Sequence, residues 1–82
     1  MNSEIWLRNF KNSVTELIKV NRDTGYTVKG LVMTVGIYEK LTKAIGYEPT
    51  EFIGYTVEIL DQTEAEFIKE GEMVFVKGDA LN

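Results

Sequence analysis

The chain predicts a small α+β domain, spanning residues 1–82, in the element order α-β-α-β-α-β. A three-stranded sheet, antiparallel or mixed, carries one long N-terminal helix and two shorter helices on one face. Three observations carry this expectation. Apolar residues recur at helical spacing over 4–20 and 35–45. Two stretches rich in β-branched and aromatic residues begin alike, "GYTVKGLVMT" at 25–34 and "GYTVEILDQT" at 54–63. Turn-forming residues separate these segments, as in "NRDTG" and "EPTEFIG".

The first helix covers residues 4–20. At about 100° per residue, Trp6, Leu7, Phe10, Val14, Leu17 and Ile18 share one side, and Ser3 is placed to cap the start. A strand follows from Gly25, with Tyr26, Val28 and Val32 alternating against Thr27, Lys29 and Leu31. Thr34 then caps a helix over 35–45. Its buried stripe is Ile37, Tyr38, Leu41, Ala44 and Ile45, and Glu39 to Lys43 forms a favourable i,i+4 pair. Gly46 is the expected left-handed stop, with Tyr47 folding back on Leu41 or Tyr38.

"EPTEFIG" reads as a turn, and Tyr55–Leu60 as the second strand. Thr63 and Glu66 form a capping box for a short helix that Gly71 ends. The third strand is Met73–Val76, followed by the polar "KGDALN". The similarity of the two "GYTV" stretches follows from local physics. A glycine at the bend, an aromatic and β-branched residues in the strand, and a threonine at the next cap are what such units require.

Composition narrows the function classes. The chain has no Cys and no His, which removes thiolate metal sites and disulfides together with the usual general base of triad chemistry. There is no Walker-type loop and no G-x-G-x-x-G. Glu64, Glu66, Glu70 and Glu72 lack the alternating pattern of a calcium loop and read as a solvated acidic face. Neither catalysis nor a cofactor or metal is therefore expected. The N-terminus lacks the layout of a signal peptide, and no apolar run approaches the roughly 20 residues that cross a bilayer, which predicts an intracellular, cytoplasmic protein without a membrane partner.

Charge is the informative feature. The net charge is −4, but residues 1–46 hold seven Lys/Arg against four Asp/Glu, while 47–82 hold nine Asp/Glu against two lysines. Arg8, Lys11, Lys19 and Arg22 fall within one stripe about 80° wide on the first helix. Glu58, Asp61, Glu64, Glu66, Glu70 and Glu72 make the acidic half. The expected function is that of a small non-enzymatic interaction or regulatory protein with a protein partner, in a specific version an inhibitor whose acidic half occupies a basic, nucleic-acid-binding surface. Self-association as a two-fold dimer is expected through Val57, Ile59, Val74 and Val76, on the premise that both faces of the sheet carry apolar residues.

The alternative is a DNA-binding regulator that uses the basic stripe or the 41–55 segment. "LTKAIGYEPTEFIGY" resembles a helix-turn-helix, with Leu41, Ile45, Gly46 and Tyr47 followed by Phe52 and Tyr55 on a second helix. Thr42 stands where a small residue is expected, Gly54 interrupts the second helix, and Glu48 and Glu51 would face phosphates.

Overall fold

The computed structural model describes residues 3–60 and 73–80. Helix α1 spans Ser3–Asp23 and helix α2 Val35–Ile45; the strands are β1 (Tyr26–Met33), β2 (Glu51–Phe52), β3 (Tyr55–Ile59) and β4 (Val74–Ala80). The class is α+β, but the sheet has four strands in the order β2-β3-β1-β4 and not three. β1 and β3 run parallel, with α2 in the crossover between them, while β2–β3 and β1–β4 are antiparallel. The expected third helix, with its Thr63–Glu66 cap and Gly71 stop, lies outside the described residues.

Both helices lie on one face of the sheet. α1 supplies Val14 and Ile18, α2 supplies Ile37 and Leu41, and these meet Leu31, Met33 and Phe52 from the strands in one core. Leu31, Met33 and Leu41 are wholly excluded from water. Burying a side chain of this size contributes about 1.5–3 kcal/mol. Trp6 stacks on Phe10 at 4.8 Å between ring centroids, and Phe10 meets Phe52 at 5.4 Å, so the aromatics of α1 extend the core toward β2.

A bulge in β1 decides which residues share that core. Val28 pairs with Gly78 and Gly30 with Lys77, so Lys29 is an extra residue opposite a single step of β4. One inserted residue shifts the period-2 alternation by one. Val28 consequently packs on the same side as Leu31 and Met33. Regular alternation had placed Val28 with Val32 and set Leu31 on the opposite face. The bulge and the registers of β3 and β4 together put Val28, Leu31, Met33, Tyr55, Val57, Val74 and Val76 against one core, where the expectation divides them between two faces. At the bulge the strands approach closely, and a Cβ on Gly78 would lie 1.8 Å from the Thr27 carbonyl oxygen.

Thr34 starts α2 in extended geometry but makes no side-chain cap hydrogen bond. Its hydroxyl is used elsewhere: the Met73 N–H donates to Thr34 Oγ1 at 3.1 Å, and the Thr34 N–H donates to the Met73 carbonyl at 3.1 Å. The residue expected to cap a helix thus docks the start of β4. Gly46 ends α2 in the left-handed region at φ 88. Tyr47 does not fold back on the helix and is 65% exposed. Instead, Tyr38 Oη donates to the Pro49 carbonyl at 2.8 Å, and buried Pro49 ties the 47–50 connection to α2.

The "EFIG" segment is an edge hairpin. Phe52 pairs with Tyr55 across a two-residue loop of Ile53 (φ 45) and Gly54 (φ 87), the arrangement of a type I′ turn. A β-branched residue in the left-handed region costs about 1–2 kcal/mol relative to ordinary backbone. This hairpin also removes the second helix that a helix-turn-helix at 41–55 requires, which corrects the 41–55 form of the DNA-binding alternative and leaves its basic-stripe form open. The two "GYTV" stretches begin β1 and β3, each after a positive-φ glycine (Gly25, φ 90; Gly54, φ 87). They pair in parallel with Leu31 opposite Val57, three residues out of step with their sequence alignment.

Candidate interaction surface

Helix α1 carries a row of cations beside its apolar face. Arg8, Lys11, Lys19 and Arg22 are all exposed. From Arg8 to Arg22 the helix rises about 21 Å at 1.5 Å per residue. Among the described residues, none of the four forms an ion pair, whereas Lys29 pairs with Asp79 and Lys77 with Glu58. All four lie on the solvent side of the helix, with the exposed Thr15 between Lys11 and Lys19.

The C-terminal half of the stripe borders an open groove of about 550 Å³. Helix α1 forms one wall with Thr15, Ile18, Lys19, Arg22 and Asp23, and the β2–β3 hairpin forms the other with Ile53 and Tyr55. Ile53 also lines a second, shallower hollow with Tyr47, Thr50, Glu51, Phe52 and Gly54. An apolar side chain at a hairpin apex thus separates two concave surfaces. The surface combines an apolar patch, the two exposed cations Lys19 and Arg22, and the hydroxyl of Thr15. It has the means to hold a partner by packing, ionic contact and hydrogen bonding.

Sequence reasoning did not find this groove. Its walls come from segments about 30 residues apart, and only the hairpin brings them together. A faint signal was present in "FIGY", where Ile-Gly stands between two aromatic residues. The usual pair at such a turn is Asn-Gly or Asp-Gly.

The other sequence-predicted residues are distributed differently. Glu58 is not a free acid, because Lys77 Nζ lies 2.7 Å from its Oε1. Asp61, Glu64, Glu66, Glu70 and Glu72 lie outside the described residues. Of the residues expected to self-associate, Val57, Val74 and Val76 pack against the core, and Ile59 alone is markedly exposed at 50%. The sheet face away from the helices is laced with charge. Lys29 Nζ contacts Asp79 Oδ2 at 2.5 Å, and this hydrogen-bonded carboxylate raises the Lys29 pKa above its ordinary 10.5.

Among the described residues, no group of three or more His, Cys, Asp or Glu side chains is placed to hold a metal ion, and no helix is long and apolar enough to cross a membrane. Comparison with protein-family models, curated proteins and solved structures gives no match.

Proposed function

We propose that this chain is a small non-enzymatic binding protein that acts by occupying a macromolecular partner, with the outer side of α1 as a principal contact surface. The observation that carries this reading is the row Arg8, Lys11, Lys19 and Arg22. It is exposed and without an ion-pair partner among the described residues, whereas Lys29 and Lys77 are paired. Four exposed cations along one helix attract an acidic partner and speed its encounter.

The test is affinity capture from the native host, with mass spectrometry of bound protein and sequencing of bound nucleic acid. It is run with the natural chain and with a variant carrying Glu at all four positions. Capture of a protein that the variant loses supports the reading. Captured nucleic acid whose binding falls steeply with salt and is lost in the variant supports the DNA-binding alternative. Capture unchanged by the four substitutions overturns both uses of the stripe.

A second reading is favoured by the placement of charge. Residues 61–72 hold five acidic residues and one lysine, which equals the net charge of the whole chain, −4. An acidic inhibitor of a basic, nucleic-acid-binding surface would use this stretch. Changing Glu64, Glu66, Glu70 and Glu72 to Gln tests it: loss of a captured basic protein supports the inhibitor, and undiminished capture removes it.

A further inference from the structure

We infer that Ile53 is the apolar anchor of the α1 surface, and that the groove beside it takes a peptide segment in which an apolar side chain is flanked by carboxylates. This rests on the proposed use of α1 as a contact surface and names the class of partner for it.

Ile53 is not explained by the stability of the fold. It holds a backbone conformation, φ 45, that β-branched residues avoid, at a turn position where Asn, Asp or Gly is favoured. It stands outside the buried core and is 37% exposed. A residue in a disfavoured conformation that adds little to the core is a candidate for function. Its surroundings give that function a chemistry. On one side lies the groove with Lys19 and Arg22, whose two positive charges exceed the single carboxylate of Asp23. On the other lies Tyr47, 65% exposed. An apolar centre with cations on its border is the usual layout of a protein-binding patch, since apolar contact supplies affinity and peripheral charge selects the partner.

A protein segment fits this layout better than a nucleic acid does. The groove's apolar lining is Ile18 and Ile53 with one half-buried aromatic, Tyr55, whereas stacking along a nucleic-acid strand uses a succession of aromatic faces. Asp23 and Glu51 flank the hairpin on either side, and a continuous phosphate backbone would have to pass one of them. A peptide can set its carboxylates opposite Lys19 and Arg22 alone, with its apolar residue against Ile53.

The experiment is a titration of the ¹⁵N-labelled full chain with a synthetic 12-residue peptide that carries a Leu-Phe pair between four glutamates. Controls are the same peptide with Gln for Glu and a 12-nucleotide single-stranded DNA at equal salt. The acidic peptide is expected to shift the amides of Thr15–Asp23 and Ile53–Tyr55, with the Gln control about tenfold weaker. Ile53→Asn should weaken the peptide about tenfold while raising the melting temperature by about 4–8 °C, since the strained turn is relieved. Ile53→Gly serves as a second variant that also suits the turn. Opposite signs for stability and binding separate an anchor from a merely structural residue. Absence of binding, shifts that map elsewhere, or unchanged affinity in both Ile53 variants overturns the inference. DNA binding tighter than the acidic peptide reassigns the surface. If Lys19→Glu with Arg22→Glu abolishes peptide binding but the Ile53 variants do not, the cationic surface stands and the anchor falls.

Discussion

The two faces of the sheet use neighbouring residues of the same strands, yet one is a core and the other carries the charge pairs. On the helix side, Leu31 and Met33 of β1 meet Val57 of β3 and Val74 and Val76 of β4. On the other side, Val32 lies between Glu58 and Phe75 in register, and the Glu58–Lys77 pair spans β1. Hydrophobicity alone does not separate these faces, since Val32 and Phe75 are as apolar as their neighbours. Strand register separates them, with Leu31 opposite both Val57 and Val76, and the bulge at Lys29 completes the division. The bulge brings Val28 into phase with Leu31, which concentrates the apolar residues on the side that the helices cover.

The comparison breaks most sharply at Leu31. Leu31→Ala should destabilise the fold by about 2–5 kcal/mol, because a fully buried side chain leaves a cavity between β1 and the helices. Val32→Ala, one residue away, should cost about 1 kcal/mol or less. Chemical denaturation of both variants measures the difference, and equal losses would mean that the outer face is also a core.

Next in size is the close approach at the bulge. Gly78→Ala would put a methyl group against the Thr27 backbone carbonyl, which cannot rotate away. A loss of about 1–3 kcal/mol is expected. Gly30→Ala should cost less, because its nearest obstacle, at 2.7 Å, is the Thr56 hydroxyl. A near-neutral Gly78→Ala would show that the bulge is not at Lys29.

The hairpin offers a change of opposite sign. Ile53→Asn should stabilise the chain by about 1 kcal/mol, since Asn tolerates the left-handed turn position. A destabilised variant would mean that Ile53 contributes more to packing than it loses in backbone strain.

The smallest effect belongs to the outer-face pair Lys29–Asp79, which is exposed and screened by salt. A lysine whose folded pKa is raised stabilises fully below its ordinary value of 10.5 and loses that contribution as pH rises through the higher folded value. Stability followed from neutral pH into the alkaline range should therefore show a slight decline that Lys29→Gln removes. A decline of equal slope in Lys29→Gln would assign it to other groups.

The amino-acid sequence by itself determined the elements whose signals are local. The two helices, the Gly46 stop and the strands β1, β3 and β4 follow from 3.6- and 2-residue periodicity and from glycine's access to positive φ, all of which act within a few residues. The cationic stripe was legible for the same reason, since helical spacing alone aligns Arg8, Lys11, Lys19 and Arg22. Tertiary structure decided what depends on segments far apart in the chain. Lys29 became a bulge only through its register with β4, and β4 continues through Lys77 and Asp79 because its backbone pairs with the first half of β1. Thr34 became a dock for Met73 in place of a helix cap. β2 was too short to carry a periodic signal and exists because Phe52 packs against Phe10 while its backbone pairs with β3. The groove is the clearest case, because charge and exposure can be read from one helix, whereas a concave surface requires a second wall that only folding supplies.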